Sequence, residues 1–191
     1  MGRVAIGWIA VGALVMAASG PCAAQDSSES DTSYGYLGAS LAHAAFDGSG
    51  CVGGASCGTS ANAMRIFAGA WNDRSYGLEM SYVNFGKVAR NGGDTRAQGF
   101  SASFLAGLPA GDRAIFFAKV GALFSFSSVH ATTPGAATGN DRGPGFSLGA
   151  GAQLDLNRKW ALRADWDLYR VAFAGRTESV KAWSIGAAFK F

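Results

Sequence analysis

From residue 34 to the last residue, the chain alternates position by position between two kinds of side chain. In residues 160–168, Trp160, Leu162, Ala164, Trp166 and Leu168 share one face, and Ala161, Arg163, Asp165 and Asp167 share the other. A period of two is the signature of a β-strand. The same alternation recurs in 36–45, 63–70, 76–85, 100–108, 116–124, 146–156 and 182–191. One set is apolar throughout, as in Leu37, Ala39 and Leu41, in Met64, Ile66, Ala68 and Ala70, and in Leu78, Met80 and Tyr82. The opposite set is small or polar with single charges, such as Arg65, Glu79, Lys119, Arg163 and Asp165.

No charge interrupts the apolar sets. On a surface facing hydrocarbon a charge costs about 2–4 kcal/mol near the midplane, so that absence is what a lipid-facing surface requires. A soluble barrel or sandwich is the alternative. It would leave the five charged residues above on an outer face made otherwise of glycine, alanine and serine. The pattern therefore predicts an all-β protein, an eight-stranded antiparallel up-and-down transmembrane β-barrel. Closure follows because an open sheet edge in lipid leaves backbone groups unpaired.

The connections support this. Residues 71–75, 109–113 and 157–159 read as short turns, whereas 46–62, 87–95, 127–142 and 170–179 read as longer loops rich in Gly, Ser, Thr and Asn. Outer-membrane barrels have short periplasmic turns and long external loops, so both ends of the barrel are expected on the periplasmic side. Aromatic residues near the strand ends fit interfacial girdles, with Trp160, Phe189 and Phe191 at one rim. Tyr82, Phe100, Phe124, Phe146, Trp166 and Trp183 fall toward the other.

Composition sharpens the picture. Only 15% of the residues are charged, against roughly 25% in ordinary soluble domains. Beyond the N-terminus no run of about 18 apolar residues forms a spanning helix. Basic residues are scattered singly at a net charge of +3, which gives no footprint for nucleic acid.

The first residues form a separate unit. Arg3, the apolar stretch 4–18 and the small residues Cys22, Ala23 and Ala24 match a secretory leader, 1–24, cleaved after Ala24. A membrane anchor is the alternative, disfavoured by the shortness of the apolar run. Lipid modification of Cys22 is a third option, opposed by Pro21. Residues 25–33 are polar and acidic, a disordered lead-in. Cys51 and Cys57 lie in a Gly- and Ser-rich loop, and in an exported protein such a pair is expected to form a disulfide that pins it. Metal binding is the weaker reading, since no histidine or carboxylate accompanies the thiols. No cofactor is expected.

Catalysis finds little support. The two histidines are His43, on the lipid-facing parity, and His130, in the third loop beside Ser127 and Ser128. Neither sits in a recognisable Ser-His-carboxylate pattern, so no enzyme activity is expected.

Several segments carry a resemblance. The run Phe67-Ala-Gly-Ala-Trp-Asn-Asp-Arg-Ser-Tyr-Gly-Leu-Glu-Met-Ser-Tyr82, followed by Phe85-Gly86-Lys87, resembles the second and third strands of the OmpA transmembrane domain. Ala97-Gln98-Gly99, Gly107-Leu108-Pro109, Leu162-Arg163-Ala164-Asp165-Trp166 and the closing 184–191 continue the likeness, which spans 34–191. No counterpart of the peptidoglycan-binding domain of full-length members is expected after the last strand.

The resemblance implies an interior charge network that blocks a water channel. Glu79 matches its central glutamate, and Lys119 and Arg163 match two arginines. Gln153 stands in place of a glutamate and Leu105 in place of a lysine, a thinning that Arg65 and Asp165 are expected to offset. The terminal Phe191 resembles the signal read by the barrel-insertion machinery.

Two function classes remain. One is a structural barrel supporting envelope integrity, in contact with outer-membrane lipids and lipopolysaccharide. The other is a surface adhesin or phage- or host-binding protein acting through its loops. A small porin is the lesser alternative.

Overall fold

The computed structural model describes residues 33–47, 58–134, 136, 138–173 and 176–191. The leader 1–24, lead-in residues 25–32 and the Cys51–Cys57 pair lie outside the described residues.

Eight strands follow one another: β1 (Tyr34–Phe46), β2 (Ser60–Asn72), β3 (Tyr76–Arg90), β4 (Gly93–Ala110), β5 (Ala114–His130), β6 (Gly139–Asp155), β7 (Trp160–Phe173) and β8 (Arg176–Lys190). Each pairs antiparallel with its neighbour, and β8 pairs with β1, closing the barrel. Paired residues lead once round the barrel from Tyr36 through Gly69, Glu79, Ser103, Gly121, Ser147, Tyr169 and Val180 to Phe46. That endpoint lies ten residues further along β1. The stagger tilts the strands and brings alternate side chains into a narrow interior.

The burial pattern is that of a membrane barrel. Met80 is 71% exposed while its neighbour Glu79 is 4% exposed. The large apolar residues predicted to face lipid, among them Leu41, Leu78, Phe100 and Ile185, are all on the outside.

The strands are longer than the alternation alone marks, and two of the four expected loops dissolve into them. Residues 87–95 form a tight hairpin, with Arg90 paired to Gly93 across Asn91-Gly92. Both turn residues have positive φ, 51° and 74°, the geometry that matches the twist of a two-residue hairpin and favours Asn-Gly. Residues 170–179 are likewise mostly strand, paired as far as Phe173 with Arg176. The other two expected loops shrink to the connections 47–59 and 131–138.

The alternation also breaks once. Between Asn84 and Lys87 the register with β4 shifts, so Phe85 and Gly86 stand opposite the single residue Ala97. Gly86 takes φ 81°, and its amide donates to the Asn84 carboxamide oxygen at 2.9 Å. This β-bulge returns Val88 and Arg90 to the interior.

Candidate functional site

The interior of the barrel is where the charged residues converge. Inward positions of β2, β3, β5 and β7 supply Arg65, Glu79, Lys119, Arg163 and Asp165, and the structure brings all five together. Asp165 is the hub. Its carboxylate accepts from Arg65 Nη2 at 2.9 Å, Lys119 Nζ at 2.8 Å and Arg163 Nη2 at 3.1 Å. Glu79 lies 2.6 Å from Arg163 Nη1 and accepts a bond from the Tyr36 hydroxyl at 2.9 Å.

A sixth member stands outside the set expected from sequence. Asp167 pairs with Arg65 Nη1 and with Lys119 Nζ, both at 2.9 Å. Its signal was its parity, since it shares the inward face of β7 with Arg163 and Asp165. With it, three cations meet three carboxylates and the buried charge balances. Balance matters because an unpaired ion in such a place costs several kcal/mol, on the order of 3–5 when one partner is removed.

Aromatic faces surround the cations. The Arg163 guanidinium sits 4.4 Å from the Phe117 ring centroid and 4.8 Å from that of Phe67, which also receives Arg65 at 4.8 Å. The opposite face of the alternation is thus not uniformly small. Inward glycines, such as Gly69, Gly149 and Gly151, leave the room that these rings and long side chains occupy.

Apolar clusters close both sides of the ion network. Toward the rim that carries Tyr34 and Phe191, Tyr36, Phe67, Trp71, Leu105, Ile115 and Phe117 pack together. Leu105, where the resemblance implies a lysine, is fully buried there. Gln153, where it implies a glutamate, donates to the Tyr34 hydroxyl at 3.0 Å and to Asp155 at 3.1 Å. Toward the far rim, Phe46, Val83, Phe85, Leu123, Tyr169 and Val180 belong to a second cluster. Above it a buried pair, Arg90 and Glu178, joins β3 to β8 at 2.9 Å. Sequence reasoning missed this pair because both residues lay in segments read as loops.

Outside, the tilted rings of Tyr82 and Phe100 meet at 5.1 Å and those of Trp166 and Trp183 at 6.2 Å toward the far rim, while Trp160 and Phe189 meet edge to face at 5.3 Å near the terminal one. Phe191 exchanges both backbone bonds with Gly35, at 2.9 and 3.0 Å, and its side chain is exposed. His43 is exposed on the outer wall. His130 Nε2 lies 3.4 Å from Ser128 Oγ, and Asp94 is its partner in register. The Asp94 carboxylate, however, is ion-paired with Lys87 and Arg96, so these three residues do not form a nucleophile, base and orienting acid. Among the described residues no group of three or more His, Cys, Asp or Glu is placed to hold a metal ion.

A search of curated protein sequences finds no match. Solved structures do match in fold. Neisserial surface protein A aligns over 82% of this chain and 97% of its own, at 18% identity and a TM-score of 0.63. OprG from Pseudomonas aeruginosa aligns over 83% and 95%, at 12% identity and 0.59. Ail, the attachment invasion locus protein of Yersinia pestis, in complex with the heparin analogue sucrose octasulfate, aligns over 83% and 97%, at 12% identity and 0.53. The profile of the outer membrane protein beta-barrel domain matches residues 10–191. A closed eight-stranded barrel, apolar outside and charged within, and a profile match over nearly the whole chain agree: the protein belongs to the outer membrane protein beta-barrel family and resides in the outer membrane.

Proposed function

We propose that the protein is a structural barrel of the outer membrane whose filled lumen carries no solute, with the far rim facing outward. The observation that carries this reading is the six-residue ion network held between two apolar clusters. A solute path along the axis would have to displace Trp71, Phe117, Phe85 and Tyr169 as well as three ion-paired cations. An eight-stranded barrel has an interior just wide enough for its side chains, and these fill it. Phe191, paired to β1 and exposed at its ring, serves in this reading as the end signal for the insertion machinery.

Purified protein in a planar bilayer tests the filled lumen. The expected trace is a closed baseline with at most rare, brief openings, and large steady channels would refute the reading. In cells, a deletion strain is expected to leak periplasmic marker enzymes.

A second reading, recognition through the loops, is favoured by the two longest connections, 47–59 and 131–138, leaving the barrel at the same rim. The solved structure of Ail, a protein of this fold, holds a sulfated sugar analogue. Trimming both connections separates the readings. Loss of adhesion with an intact envelope would assign recognition to the loops, and unchanged adhesion would leave the structural role alone.

A further inference from the structure

The outer wall near the far rim carries a feature that the filled lumen does not explain. Strands β8, β1 and β2 enclose a surface concavity of about 590 Å³ bordered by Leu41, His43, Asn62, Trp183 and Ile185. Its floor is backbone, because the lining residues Ala42, Ala63 and Ser184 turn their side chains toward the barrel interior. The pairings Leu41 with Ile185 and His43 with both Trp183 and Asn62 place its apolar part below its polar part, in the direction of the far rim.

Cations stand beside the polar end. Lys181 pairs with Ala45 on β1 and with Leu168 on β7, one outward position above Trp183. Arg170, on the same outward face of β7, pairs with Ser179 and is the diagonal neighbour of Lys181. Its Nη1 donates to Ser179 Oγ at 2.9 Å, and its guanidinium lies 5.9 Å from the centroid of the outward Phe146 ring. No carboxylate pairs with Lys181 among the described residues. Asp47, just past the end of β1, stands beside the pair and accepts the Ser179 amide at 3.0 Å. A second outward cation pair, Lys87 and Arg96 on β3 and β4, differs because Asp94 lies between its members at 3.5 and 3.3 Å.

We infer that this groove and the Arg170–Lys181 pair form a seat for one phosphorylated glycolipid of the outer leaflet, the lipid A portion of lipopolysaccharide. The apolar lower groove takes an acyl chain, with the exposed Trp183 indole as one wall. Arg170 and Lys181 hold a phosphate, for which an arginine fork offers paired donors. His43 and Asn62, hydrogen-bonding groups at the level between chain and phosphate, suit sugar hydroxyls. The site lies outside the barrel and does not rest on the lumen being closed, so conductance tests that reading and lipid retention tests this one.

The experiment is native mass spectrometry of detergent-purified protein titrated with bisphosphorylated lipid A, dephosphorylated lipid A or phosphatidylglycerol. Wild-type protein is expected to retain one bisphosphorylated lipid A and to lose it when the phosphates are removed. The double variant R170A/K181A is expected to bind about thirtyfold more weakly, because each basic side chain at an anionic lipid surface contributes several-fold. The double variant K87A/R96A, tested beside it, should bind as the wild type does, and both should keep heat-modifiable migration as the sign of a folded barrel. Undiminished binding by R170A/K181A would overturn the assignment, as would equal loss in both double variants. Equal retention of dephosphorylated lipid A, or of phosphatidylglycerol, by the wild-type protein would also overturn it, whether or not the variants fold.

Discussion

Arg90 and Glu178, 88 positions apart in the chain, close the far mouth of the barrel as a buried ion pair of 2.9 Å. Arg90 also donates from Nε to the Gly58 carbonyl at 3.2 Å and lies 5.2 Å from the centroid of the Phe46 ring. The pair thus ties β3 to β8 and to the chain entering β2. Removing Glu178 alone as Glu178→Ala is expected to destabilise the barrel by about 3–5 kcal/mol, since it strands a buried cation. Replacing both residues, Arg90→Met with Glu178→Leu, should recover most of that loss. Urea unfolding in lipid vesicles measures both, and additive losses would show that the two residues act independently.

Asp165 and Asp167 differ in the number of cations each receives, three against two. Asp165→Asn should therefore cost more stability than Asp167→Asn, with the first again on the order of 3–5 kcal/mol. The same unfolding assay compares them. Equal losses would mean that charge balance alone, and not the hub geometry, governs the interior.

The outer wall makes a depth-dependent prediction. Met80, whose β3 neighbour Glu79 lies in the central network, belongs to the middle of the apolar band, whereas Leu108 lies near the terminal rim. Met80→Arg is expected to cost about 2–4 kcal/mol and Leu108→Arg about 0–1 kcal/mol. Equal costs, read from folding equilibria in bilayers, would contradict the placement of the membrane band.

Gly86 sets the parity of the far half of β3. Its φ of 81° is costly for other residues, and a Cβ there would press on the Asn62 carbonyl oxygen. Gly86→Ala is expected to lower stability by at least about 1–2 kcal/mol. Loss of the bulge would also turn Val88 and Arg90 outward, which cysteine labelling at position 88 would detect. An unlabelled, fully stable variant would show that the bulge is held by other means.

Much of this architecture was legible in the chain. The strict alternation of Trp160 to Leu168 against Ala161 to Asp167 specifies a strand, its inside and its outside, because side chains on a pleated backbone point to opposite faces in turn. Charges confined to one face then identify that face as interior once the other must meet lipid. Asn91-Gly92 was legible too as a hairpin signal, although the polar residues around it favour a loop when read by composition. What the chain alone left undecided is which inward charges meet. That depends on the ten-residue stagger and on which unpaired strands face each other, such as β2 and β7, whose Arg65 and Asp165 come within 2.9 Å across the lumen. The bulge at Gly86 likewise needed β4 opposite it, since a single strand does not reveal that two of its residues face one. Local pattern determined faces, because alternation is a property of one backbone; contacts were decided by closure, because only the complete ring sets the register of every strand at once.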